Sequence, residues 1–194
     1  DESRETLPVK ACTAEEYKEI PDVILVCIKG YSMDETVPTI KKIAGKETVV
    51  IPILNIYGTG GRLQKKLPEL TVTDGCIYVS ANIMEPGVIL QHGKILRVVF
   101  GARKPEEETE KMREVAKDMV TDDLEVILSE NIRRDAMVKF SYVSPIGTAG
   151  LYCNAVAADF QREGEQREMF KALIREIVAL SHAMGIEFAE DLEI

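Results

Sequence analysis

Short apolar runs alternate with segments of helical period along the first two thirds of the chain, and then helical period stands alone. The run DVILVCIKG (residues 22–30) is rich in Val and Ile and stops at Gly30, which predicts a strand buried on both faces, as in a parallel sheet. In the next segment, SMDETVPTIKKIAGK, the residues Met33, Val37, Ile40 and Ile43 fall on one helical stripe. Ser32 and Glu35 have capping-box spacing at its start, and Gly45 closes it. TVVIPILN (48–55) predicts a second buried strand, completing a βαβ unit, right-handed by precedent. A short helix around Arg62 to Leu67 follows.

Beyond it, TVTDGCIYVSANI (71–83), GVILQHG (87–93) and KILRVVFG (94–101) read as three strands, with turns at 85–87 and at His92-Gly93-Lys94. Residues 104–122 predict an amphipathic helix with Pro105 near its start, and DLEVILS (123–129) one more strand. From Asn131 onward the pattern predicts only helices: a long one over 131–150, a short one in NAVAADFQRE, and one carrying Phe170, Leu173, Ile174, Ile177 and Leu180 on a single face. FAEDLEI begins a last one. The expected architecture is an α/β part to about residue 129, followed by an all-α part packed around a shared cleft. The first 21 residues carry no strong period and begin without Met; they read as a surface segment or as the point where a longer chain was cut.

Composition narrows the function classes. Acidic residues outnumber basic ones 33 to 24, Trp is absent, and no stretch concentrates Lys and Arg, so nucleic acid is excluded as a partner. Cys12, Cys27, Cys76 and Cys153 form no CxxC pair, and His92 and His182 lie far from them. No metal site is expected, and Cys27 and Cys76 read as free thiols in buried strands. No apolar run reaches the ~20 residues needed to span a bilayer, so the expected setting is the cytoplasm.

Three residues stand where chemistry is done. In open α/β sheets ligands bind at the carboxyl ends of the strands, where Lys29 and Asn55 fall. Asn55 can bind a ribose hydroxyl and a substrate oxygen together, or it can cap the strand exit. Lys29 can reach a nucleotide phosphate, or stand solvated. Gly58-Thr59-Gly60-Gly61 lacks the spacing of a dinucleotide fingerprint and of a P-loop; it reads as a turn into a helix. Lys139 lies in a helix apolar on most sides. It either faces a cleft, where it can give a proton to a carbonyl oxygen, or snorkels to solvent. Ser144, Thr148 and Asn154 can line the same cleft, or act as helix-interior and capping polar groups.

Together PDVILVCIKGYSMDETV, VVIPILNIYGTGGRL, DGCIYVSANIMEPGVILQHGKILRVVFG and SENIRRDAMVKFSYVSPIGTAG resemble, in order, four segments of the ketopantoate reductases (2-dehydropantoate 2-reductases). The resemblance implies a partial Rossmann-type, mostly parallel-sheet NADP-binding domain over residues 1–129. A partial all-α substrate and catalytic domain follows over 130–194, of the 6-phosphogluconate dehydrogenase C-terminal type, with both ends incomplete: the GxGxxG unit and later helices lie outside. It implies NADPH as cofactor and a 2-oxo acid as substrate, in pantothenate and coenzyme A synthesis. Lys139 becomes the catalytic lysine, Asn55 a cofactor and substrate contact, Lys29 a cofactor contact and Ser144 a substrate contact. Many members carry Asn four and eight residues after the lysine, where Val143 and Gly147 stand here, which leaves open another 2-oxo acid. A non-catalytic binding module is the alternative should the short chain be natural. A homodimer through an open sheet edge is a further expectation.

Overall fold

The computed structural model describes residues 6–187, so the helix expected in FAEDLEI lies outside the described residues. Strand β1 (Val23–Val26), helix α1 (Met33–Ile43) and strand β2 (Val49–Pro52) form the βαβ unit, with β1 and β2 parallel in the register Val23 to Val49. Helix α2 (Thr59–Gln64) leads to β3 (Thr71–Val72), which is parallel to β2 and completes a sheet of order β1-β2-β3. A second sheet is made of β4 (Asp74–Glu85), β5 (Val88–Gly101) and β6 (Glu125–Leu128). In it β4 and β5 are antiparallel, and β5 and β6 parallel. Helix α3 (Glu110–Asp118) precedes β6; α4 (Ile132–Cys153) and α5 (Glu165–Ala183) follow.

Two apolar clusters hold the α/β part. Met33 and Ile40 of α1 pack with Val26, Val50, Leu63 and Leu67. On the other side Val49, Ile51, Val98, Phe100, Met112 and Val115 join β2, β5 and α3. β2 thus buries both faces, as its unbroken Val-Val-Ile run requires. A smaller cluster of Cys76, Val99 and Ile132 fixes the first turn of α4 against the second sheet. The helical part has its own core of Ala149, Phe160, Phe170 and Ile174.

Several local expectations are corrected. β1 is an outer strand among the described residues, and Leu25 and, just beyond the strand, Cys27 are exposed, although Val23 packs against the second apolar cluster. The opposite edge, β3, is protected: Val72 N–H donates to Gln64 Oε1 and Arg103 Nη1 donates to Val72 O. Ser32 makes no side-chain cap, because a 3-10 turn over Gly30–Ser32 already leads into α1. α2 starts three residues earlier than expected, drawing the glycines into its first turn.

His92-Gly93-Lys94 is no hairpin turn. β5 runs on from Val88 to Gly101, and the residues between Gln91 and Leu96 bulge out opposite Ser80 of β4; Gly93, at φ 75°, sits within the bulge. The expected helix over 104–122 is divided into a 3-10 turn at Pro105–Glu107 and α3, whose N-cap Thr109 accepts from Met112 N–H. The short helix in NAVAADFQRE is only a 3-10 turn at Asp159–Gln161, and Leu180 of α5 is exposed, off the packed face of its helix.

Candidate functional site

The cleft forms where α4 crosses the carboxyl end of β2 and the start of β4. Leu54, Asn55, Ile56 and Tyr57 line it from the loop after β2, Gly75 and Cys76 from β4, and Ala136, Lys139, Phe140 and Val143 from α4. The four α4 residues follow the three- and four-residue spacing of one helical face. Rings of Tyr57 and Phe140, 6.3 Å apart, hold the loop against that face.

Lys139 is the polar centre. Only 8% of it is exposed, so it does not snorkel to solvent. Its Nζ donates to Asn55 Oδ1 at 2.8 Å and to the backbone carbonyl of Ile77, and stands 5.4 Å from the centre of the Tyr78 ring. These contacts supply partners that a buried ammonium needs. Burial lowers the Lys139 pKa below the ordinary lysine value, with the charge interaction with Cys76 opposing it more weakly. Burial pushes the Cys76 thiol up to about 11 and the Tyr78 hydroxyl up to about 12, so both are neutral near pH 7.

An ammonium has three N–H donors, of which two are used here, and the Asn55 amide nitrogen has no hydrogen-bond partner among the described residues. Both side chains therefore keep spare hydrogen-bond donors at the cleft.

The glycines beside the site have a different job. Gly58 supplies a left-handed residue at the start of α2, with φ 75°. Gly60 N–H donates 2.7 Å to the buried carboxylate of Asp74, and a Cβ at Gly60 would overlap Thr73 O and Asp74 Oδ1. An acid thus already occupies this helix start, and burial raises its pKa, opposed by Arg103 and by the Gly60 and Gly61 amides. The Gly60 amide is therefore already taken.

Of the residues expected to carry chemistry, the structure brings Lys139 and Asn55 together and leaves others apart. Lys29 is exposed at the end of the β1 segment, outside the cleft lining. Ser144 is half-buried on α4 and is not among the lining residues; Thr148 and Asn154 are exposed, Asn154 as the left-handed C-cap of α4. His92 contacts Asn82 Oδ1 on the projecting hairpin. The Ile77 carbonyl, Tyr78, Tyr57 and Asp74 were not singled out from sequence, and Cys76 only as the buried free thiol that it is. The alternation in DGCIYV places Cys76 and Tyr78 on one face, and that was the available signal. Among the described residues no group of three His, Cys, Asp or Glu could hold a metal ion, and no helix is long and apolar enough to cross a membrane.

A parallel βαβ sheet whose strand end meets a lysine from an appended helical part defines a Rossmann-type protein with a helical second part. The profile of the family described as ApbA, ketopantoate reductase PanE/ApbA, matches residues 1–105, more than half of the sequence. The chain belongs to this family. It is 25% identical over 173 residues to the uncharacterized oxidoreductase YkpB of Bacillus subtilis (strain 168), covering 89% of this chain and 56% of that protein. It is 22% identical over 172 residues to the 2-dehydropantoate 2-reductase of Aquifex aeolicus (strain VF5), covering 88% and 56%. The chain therefore spans little more than half the length of these curated relatives.

The crystal structure of 2-dehydropantoate 2-reductase from Porphyromonas gingivalis W83 superposes with a TM-score of 0.79 at 27% identity, over 92% of this chain and 60% of that one. The ternary structure of D-mandelate dehydrogenase with NADH and anilino(oxo)acetate has the same fold, with a TM-score of 0.79 at 18% identity, over 90% and 56%.

Proposed function

We propose that a full-length protein carrying this chain is a cytoplasmic, NADPH-dependent reductase of 2-oxo acids, with 2-dehydropantoate as the first substrate to test and pantothenate synthesis as its setting. The observation that carries this reading is the 2.8 Å contact of Lys139 Nζ with Asn55 Oδ1, between residues 84 apart in sequence. It joins the strand end where nucleotides bind in such sheets to a buried cation suited to a carbonyl oxygen.

When bound, the reduced nicotinamide supplies a hydride to C2 of the oxo acid. The remaining N–H of Lys139 hydrogen-bonds the oxygen as its negative charge grows, then gives it a proton, so that the C=O double bond becomes C–H and O–H. Asn55 keeps the Lys139 ammonium turned into the cleft, and its free amide nitrogen holds the same oxygen or the ribose. In this reading Lys29 serves the nucleotide and Ser144 the substrate. Residues 1–129 are the cofactor part and 130–194 the catalytic part of this assignment. One neighbour, from Staphylococcus aureus, is described as a dimeric ketopantoate reductase (TM-score 0.73, 20% identity, over 91% of this chain and 62% of that one), which supports testing for a homodimer.

Reduction is followed by the loss of reduced-nicotinamide absorbance on adding each 2-oxo acid to the full-length protein. Asn55→Ala is expected to lower kcat/KM by about tenfold, the worth of one hydrogen bond to a charged group. A variant indistinguishable from the parent removes Asn55 from the site.

A further inference from the structure

Asp74 carries a carboxyl group that is only 8% exposed and that the proposed reaction does not use. Burying a carboxylate is costly unless hydrogen bonds and opposite charges surround it. Here the Gly60 N–H donates to it at 2.7 Å, and the Gly61 amide, Arg103 and Arg133 all favour its charged form.

The group joins two segments that meet at Lys139. Gly60 lies in the first turn of α2, five residues after Asn55, and Asp74 opens β4, three residues before Ile77. Asn55 Oδ1 and the Ile77 carbonyl are the two oxygens to which Lys139 Nζ donates. The carboxylate thus fastens the loop that brings one acceptor to the strand that brings the other. Arg133 adds a second tie to the same loop: its side chain hydrogen-bonds the Tyr57 hydroxyl, and its charge acts on Asp74.

Resting on the reductase reading above, we infer that Asp74 is a positioning residue: by holding the Asn55 loop to the start of β4, it sets the place of Asn55 Oδ1 beside Lys139. It acts through Asn55, not on the reacting atoms. A misplacement of about 1 Å can cost roughly 100-fold in rate. Asp74→Ala, which removes the acceptor, is expected to lower kcat/KM by about tenfold. Asp74→Asn keeps an oxygen for the Gly60 amide and should stay within about threefold of the parent.

A double-mutant cycle with Asn55 separates positioning from mere support of the fold. It is read as kcat/KM of the full-length protein, at a temperature where circular dichroism shows every variant folded. Asn55→Ala, expected to cost about tenfold in the parent, should cost about threefold or less in the Asp74→Ala background, where its amide is already out of place. A tenfold cost in both backgrounds overturns the inference and leaves the reductase reading standing, as do equal losses in Asp74→Ala and Asp74→Asn. Should Asp74→Ala not fold, Asp74→Ser carries the same cycle, since its shorter side chain does not reach the Gly60 amide. Reduction of no 2-oxo acid by the full-length protein overturns the reductase reading and the inference with it.

Discussion

Replacing Lys139 by Ala in the full-length protein is expected to lower kcat/KM for the 2-oxo acid by about 100-fold or more, the usual contribution of a positioned acid together with its charge. Steady-state rates measure this, and a loss under about threefold removes Lys139 from the chemistry. Lys139→Met separates reagent from scaffold. It keeps most of the buried volume and removes an ammonium of which 8% is exposed. The change removes the cost of a buried charge but leaves the Ile77 carbonyl without its donor, so the variant should melt within a few degrees of the parent while remaining inactive. Melting well below the parent would mark Lys139 as a structural residue.

The pH dependence has a definite sign. Burial places the folded-state pKa of Lys139 below that of the unfolded chain. Between the two values the unfolded chain binds more protons, so this group makes stability rise with pH through that window. Below the window the cost of the buried charge is present in full. The stability of Lys139→Met relative to the parent should therefore fall as the pH rises through the window. Activity should fall on the alkaline side below the ordinary lysine pKa, as the proton donor is lost. An alkaline limb at or above that value contradicts the assignment.

Gly60→Ala is expected to destabilise the fold by about 3 kcal/mol, or roughly 10 °C in melting temperature for a chain of this size. The added carbon would overlap the Thr73 carbonyl and the Asp74 carboxylate. Neither yields readily: Thr73 N–H is bonded to Val50 O, and Asp74 opens β4 in register with Gly101. Displacing α2 instead would break the bond from Gly60 N–H and leave a buried carboxylate short of a donor. Gly61→Ala is the control, since a Cβ there meets only Arg103 Cδ at 3.8 Å. Its melting temperature should stay near the parent's. Equal melts for the two variants would show that the glycines merely shape a turn.

Legibility in the sequence followed the range of the forces involved. The βαβ unit was readable because burying β2 on both faces demands an unbroken apolar run, and VVIP is one. Lys139 and Asn55 were readable singly, one as a charge in an apolar helix and the other as a polar residue at a strand exit. Their contact was not, because nothing local in the chain specifies which helix crosses which strand end. The Ile77 carbonyl carries no residue signature, as every residue has one. Gly93 was misread for a related reason: positive φ serves a turn and a bulge alike, and only the partner strand shows that the chain does not reverse. Cys27 looked buried because an apolar run reveals hydrophobicity but not which edge of a sheet it occupies.

The Lys139 bond to Ile77 has a mechanical consequence. Ile77 lies on β4, an outer strand of the second sheet, and pairs with Val98 of β5, so the ammonium is fastened to the sheet backbone itself. Its helix is pinned again at its first turn, where Ile132 packs against Cys76 and Val99. The first two turns of α4 are thus tied to the second sheet at two separate points, Ile132 and Lys139. Lys139 takes its position from the sheet as much as from its own helix.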